Sequence, residues 1–302
     1  MSTNPSTAVR IQGALTALVT PMRREGDALV VDEQALGDLC EAQIRAGIDG
    51  LVPCGTTGEA ATLSAAEQER VIRLVVEAAA GRVPVVAGVG SNSTAHALEL
   101  ARAAARAGAQ ALLVVTPYYN KPTQEGLLLH YRELARVGVP LVLYNVPGRT
   151  GCDLLPETVA RLCELPEVIA IKEATGSVQR TQQIIARMGD RLTVLSGEDA
   201  INYPLYCVGA RGCISVVGNI APELTAAIWD ATVLGDHVRA RSLHYQFLPL
   251  AEAMFLESNP IPVKTALARM GRIQPWLRPP LCPMSPGAEE RMLSAMRTSG
   301  LL

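Results

Sequence analysis

Among the 27 basic side chains of this 302-residue sequence, 24 are arginine and three are lysine: Lys121, Lys172 and Lys264. Only Lys172 follows directly on a continuous apolar run, VIAI at 168–171. An ammonium at the end of such a run is costly to bury without a partner, and the desolvated amine is the nucleophile that Schiff-base chemistry requires. The plainer alternative is a lysine paired with the adjacent Glu173 or reaching solvent past the strand end. Placement alone leaves both open.

Other chemistry-bearing residues follow apolar runs in the same way. In GTTGE (55–59) the glycines let backbone amides turn toward a ligand and the threonines add hydroxyls, a combination suited to a small carboxylate. It also reads as a tight strand-to-helix turn. Tyr118, Tyr119 and Tyr144 are three of the seven tyrosines, in TPYYNKP (116–122) and YNVPGRTG (144–151). Phenols relay protons without carrying charge near neutral pH, although rim packing is the simpler use. Arg149 offers a two-pronged fork to a second carboxylate, or is a surface charge. Cys54 adjoins the GTTGE turn but has no evident histidine base, so it reads as a packed thiol. Histidines 96, 130, 237 and 244 show no HxH or HExxH spacing, and no metal site is expected.

The elements that must position these groups come from eight short apolar runs: LTALVTP from 15, DGLVPCG from 49, PVVAGVG from 84, ALLVVTP from 111, PLVLYNVP from 140, VIAIKEA from 168, LTVLSGED from 192 and GCISVVG from 212. Segments of helical periodicity separate them. In residues 64–80, Ser64 and Glu67 form a capping-box pattern and Gly81 stops the helix; similar segments run from 93 to Gly108 and from Thr123 to about Gly138. Continuous apolar strands are buried on both faces, the mark of a parallel sheet covered by helices. Eight such units predict an α/β fold, a (β/α)8 TIM barrel with a C-terminal helical extension. The rival is an open doubly wound sheet; no run opens into GxGxxG, and polar residues gather at many strand ends rather than one switch point. The division expected is 1–220 for the barrel strands and helices and 221–302 for the last barrel helix and the C-terminal helical region.

Bulk properties remove other classes. A hydrophobic fraction of 49% supports a large core, and a formal charge of −2 leaves no footprint for nucleic acid or an anionic membrane. Seven cysteines, an odd number without CxxC, point to reduced cytosolic thiols. The opening MSTNPSTAVRIQ lacks signal-peptide character and no run approaches a membrane span, so a cytoplasmic location is expected.

Taken in order and spacing, GTTGE, TPYYNKP, YNVPGRTG, IKEA, LSGED and NPIPVK (259–264) resemble the dihydrodipicolinate synthase family over nearly the whole chain. That family belongs to the pyruvate-dependent class I aldolases. The resemblance implies an imine between Lys172 and pyruvate, Thr56 and Thr57 holding the pyruvate carboxylate, and Tyr144 as proton carrier. It further implies a relay of Thr57, Tyr144 and Tyr119, the last reaching a neighbouring subunit's site. Arg149 would bind the carboxylate of L-aspartate 4-semialdehyde, with Gly197 and Ile214 lining the pyruvate pocket. No metal or organic cofactor is implied; a dimer unit, by family a tetramer, is. The product would be 4-hydroxy-tetrahydrodipicolinate, for lysine and diaminopimelate synthesis.

The sequence departs from lysine-inhibited members of the family. Ala60, Ala65 and Gln68 stand where those have serine and two histidines, and His96 where a glutamate would meet the inhibitor's amine; Asn92 and Tyr118 remain. Weak or absent lysine inhibition is expected. The rivals in function are another aldolase on the same scaffold, such as N-acetylneuraminate lyase or a keto-deoxy-sugar-acid aldolase, and a barrel that binds without catalysis. Arg149 speaks against the first, since a sugar chain calls for hydroxyl-binding groups at that mouth; the intact lysine, tyrosine and threonine set speaks against the second.

Overall fold

Alternation along each strand decides which side chains face the barrel axis and which face the helices. The computed structural model describes residues 10–302, so most of the segment read for a signal peptide, and the start of the expected first division, lie outside the described residues. Strand β1 (Gly13–Ala17) is followed by a hairpin of β2 (Met22–Glu25) and β3 (Ala28–Val31). Then come β4 (Gly50–Val52), β5 (Val86–Gly88), β6 (Ala111–Val115), β7 (Leu141–Asn145), β8 (Val168–Glu173), β9 (Thr193–Ser196) and β10 (Gly212–Ser215). All but the hairpin pair in parallel, in the order β4-β1-β10-β9-β8-β7-β6-β5. A bridge between Leu51 and Val85 joins the two ends. The eight expected runs supply the eight barrel strands, and the (β/α)8 architecture stands.

Inward positions such as Leu15, Val86, Val142, Ala170 and Leu195 fill the barrel, while Leu112, Leu141, Leu143, Ile171 and Val194 pack beneath the helices. Each fully buried leucine, isoleucine or valine here stabilises the fold by about 1.5–3 kcal/mol. The outer layer is α1 (Glu33–Arg45), α2 (Ala65–Ala79), α3 (Thr94–Arg106), α4 (Gln124–Ala135), the short α5 (Pro147–Thr150), α6 (Pro156–Leu162), α7 (Val178–Met188), α8 (Asn202–Cys207) and α9 (Pro222–Val233). The capping box of α2 is formed: Ser64 Oγ accepts from the Glu67 amide at 3.2 Å, and Glu67 Oε2 accepts from the Ser64 amide at 2.9 Å. Helices α10 (His237–Ala253), α11 (Ile261–Arg269) and α12 (Pro286–Thr298) form the C-terminal extension. Among the described residues no helix is long and apolar enough to cross a membrane.

Candidate active site

Period-2 alternation in β8 sends Ala170 to the barrel interior and Ile171 to the helix side, so Lys172 faces inward and Glu173 outward. In the register of β7 with β8, Tyr144 lies beside Lys172 and Asn145 beside Glu173. Lys172 is 6% exposed, and its Nζ is 4.6 Å from the centre of the Tyr144 ring. An ammonium over an aromatic face is attracted by about 0.5–2 kcal/mol, which holds the side chain at the strand end. Pairing with Glu173 does not occur. That carboxylate accepts from Asn145 Nδ2 at 3.2 Å and the Thr175 amide at 2.8 Å, and burial pushes its pKa up against those bonds.

The GTTGE turn leaves β4 with Cys54 and Glu59 both in the left-handed region, at φ 56° and 55°. Gly58 passes so close to β1 that a Cβ there would meet the Leu18 carbonyl and the Cys54 amide at 3.1 Å. Within the turn, the amides of Gly58, Glu59 and Ala60 bond back to Gly55 and Thr56 carbonyls. Among the described residues those of Thr56 and Thr57 have no protein acceptor, which suits them to an anion. Thr57 Oγ1 accepts from Asn259 Nδ2 at 3.0 Å. Cys54 is buried, burial raises its pKa, and its thiol lies 3.7 Å from the Gln68 carbonyl; it is packing, not a nucleophile.

A cavity of about 220 Å³ brings Thr56, Thr57, Tyr144, Arg149, Lys172 and Gly197 together at the carboxyl ends of the strands. Gly197 leaves room for the lysine, since a Cβ there would sit 2.7 Å from Ala174 Cβ and 2.9 Å from Lys172 Cε. Arg149, on α5, presents its guanidinium at the mouth, with one nitrogen 3.4 Å from the Asn259 carbonyl. A second cavity of about 490 Å³ shares Thr56, Tyr144, Arg149 and Asn259 with the first and opens toward Gln68, His96 and Tyr118. Two expected residues are not brought in. Ile214 packs in the barrel interior with Leu15 and Leu195, and Val216, two residues on, lines the smaller cavity instead. Tyr119 is 88% exposed on the surface of this chain, at φ 73°.

Sequence reasoning missed Glu198 and Asn259, which also line the smaller cavity. Burial, then the neighbouring Asp199 charge, pushes the Glu198 carboxyl upward, and Lys172 pulls it partly back. Asp199 accepts from the Val216 and Val217 amides at 2.8 and 2.9 Å, tying the end of β9 to that of β10. Position in LSGED was the available signal for Glu198, and the place of Asn259 at the head of NPIPVK was the signal for that residue. Among the described residues no three His, Cys, Asp or Glu side chains are grouped to hold a metal.

Architecture and pocket place the chain among the (β/α)8-barrel enzymes, whose catalytic groups gather at the carboxyl ends of the strands. Within that class it belongs to the dihydrodipicolinate synthetase family, whose model matches residues 10–298. It is 51% identical over 292 residues to the 4-hydroxy-tetrahydrodipicolinate synthase of Geobacter sulfurreducens, covering 96% of this chain and 99% of that one. The Thermodesulfovibrio yellowstonii enzyme of the same name is 49% identical over the same shares. Among solved structures, dihydrodipicolinate synthase from Acinetobacter baumannii complexed with pyruvate superposes with a TM-score of 0.94 at 44% identity, covering 97% of this chain and 100% of that one.

Proposed function

We infer that this chain condenses pyruvate with L-aspartate 4-semialdehyde to give 4-hydroxy-tetrahydrodipicolinate, the reaction for which its relatives are named, and that Lys172 carries the imine. The observation that carries the residue assignment is the inward amine of Lys172, in no salt bridge among the described residues, against Tyr144 in a cavity shared with uncommitted turn amides. The amine attacks the pyruvate keto carbon and water departs, leaving a protonated imine. That imine is an electron sink, so the methyl group loses a proton and the resulting enamine forms a carbon–carbon bond to the aldehyde. The amino group of the second substrate then displaces Lys172 at the imine carbon, closing the ring and freeing the lysine.

Thr56 and Thr57 hold the pyruvate carboxylate through amides and hydroxyls, and Tyr144 moves protons to and from the reacting carbon and oxygen. Arg149 receives the carboxylate of the aldehyde at the mouth. Tyr119, too far out to serve its own cavity, completes the relay in a neighbouring subunit, so the working unit is a dimer and the assembly a tetramer. The enzyme works in the cytoplasm, in lysine and diaminopimelate synthesis. Incubation with pyruvate and L-aspartate 4-semialdehyde should yield the cyclic product, with little turnover of N-acetylneuraminate or keto-deoxy sugar acids. Preference for a sugar acid would overturn the substrate reading, and a monomer in solution sizing at assay concentration would overturn the shared relay.

A further inference from the structure

Lys264 is one of three lysines in an arginine-rich chain, yet the chemistry above gives it no part. It lies on α11, 1% exposed, with its ammonium against the carboxylate of Glu59 and donating to the Thr20 carbonyl at 2.9 Å. Glu59 ends the GTTGE turn, and its other oxygen accepts from the Arg278 amide at 3.0 Å. The Arg278 guanidinium in turn binds both Glu67 oxygens, at 2.6 and 3.0 Å, and the Thr62 and Leu29 carbonyls at 2.9 and 2.7 Å. Thr20 Oγ1 donates to the Gly58 carbonyl at 2.7 Å. The last two residues of the turn are thus each tied to groups outside it.

A buried ion pair adds little net stability, because desolvating two charges offsets most of their attraction; what it supplies is direction. Here it points at a residue held in the left-handed region, a conformation that persists only where the surroundings over-determine it. An ammonium suits the two acceptors at hand, whereas a guanidinium would bring five donors to them. That accounts for a lysine where the chain elsewhere uses arginine.

We propose that Lys264, through Glu59 and together with Arg278, is a positioning residue for the pyruvate-carboxylate turn, so that the C-terminal extension sets affinity for the 2-oxo acid. The proposal rests on the imine reading of Lys172 and the carboxylate role of Thr56 and Thr57. The charge-neutral double variant Glu59→Gln/Lys264→Met leaves no lone buried charge, and Arg278→Met keeps the buried pair intact. Borohydride trapping at rising pyruvate concentration, read on the Lys172 peptide by mass spectrometry, gives the half-saturation, and steady-state kinetics give KM for each substrate.

Half-saturation should rise about tenfold or more in the double variant and about threefold in Arg278→Met, with the KM for the aldehyde within about twofold of wild type. A purely structural loss would lower the active fraction and leave both KM values in place. If the double variant does not fold, Lys264→Arg, which keeps the charge but not the single ammonium shared by Glu59 and the Thr20 carbonyl, decides by the same rise in pyruvate half-saturation, because Arg278→Met leaves that pair and the Arg278 amide bond to Glu59 in place. Unchanged pyruvate half-saturation in the folded variants overturns the positioning role while leaving the imine reading intact; absence of any adduct on wild-type Lys172 overturns both.

Discussion

Replacing Gly197 with alanine tests whether the position of the Lys172 amine, rather than its mere presence, governs the reaction. The added Cβ would lie 2.7 Å from Ala174 Cβ and 2.9 Å from Lys172 Cε. Ordinary carbon contacts lie at about 3.5–4.0 Å, so about 0.6–1.3 Å of relief is required. Ala174 has no rotamer with which to yield, so that contact is relieved only by a backbone shift at 174 or 197, while the Lys172 side chain must swing from the Tyr144 ring; both carry the amine off its place. A displacement near 1 Å at a reacting group costs about a hundredfold in rate. Overpacking of this size also costs about 1–3 kcal/mol of stability, seen as a modest fall in Tm. Gly197→Ala should retain the secondary structure of the wild type by circular dichroism, lose about a hundredfold in kcat/KM, and show slowed borohydride trapping of pyruvate. Wild-type trapping and turnover in a folded variant would show that the crowding is absorbed without displacing the amine, and that its exact position does not limit the reaction.

Tyr144→Phe keeps the ring beneath the ammonium and removes the hydroxyl, so the imine should still form while kcat falls by about 10²–10⁴; near-normal kcat in a steady-state assay would remove Tyr144 from the proton path. Lysine inhibition should be weak or absent. The sole carboxylate lining the larger cavity among the described residues is Glu59, already engaged by Lys264, so the inhibitor's amines find no counter-charge; micromolar inhibition would contradict this. His130 is buried, and burial pushes its pKa down from 6.5 to about 4. As pH falls from 6.5 toward 4 the unfolded chain takes up the proton first, so a contribution of up to about 3 kcal/mol, complete above 6.5, is lost on acidification. The gap in unfolding free energy between wild type and His130→Gln should narrow over that range, and a constant gap would count against the depressed pKa.

The barrel strands were legible because parallel strands buried on both faces read as continuous apolar runs, and the α2 capping box because Ser64 and Glu67 carry its hydrogen bonds themselves. The β2–β3 hairpin was not: its residues are mostly exposed or half-buried, and Arg23, Arg24 and Glu25 give no apolar alternation. Lys172 and Tyr144 could each be named from the end of an apolar run, but their adjacency depends on the β7–β8 register, which no local pattern prints. Asn259 joins Thr57 across some 200 residues of chain, a contact made only by folding. Ile214 shows the same limit from the other side, since the right strand was found and the cavity wall falls two residues further along it.

One covalent bond, between Lys172 and pyruvate, carries the proposed chemistry. Treating the wild-type protein with pyruvate and borohydride, digesting it and mapping the adduct by mass spectrometry should place one pyruvate-derived modification on Lys172 and none on Lys121 or Lys264, and Lys172→Ala should abolish it. An adduct on another lysine, no adduct at saturating pyruvate, or an adduct that survives Lys172→Ala would rule out Lys172 as the imine-forming residue.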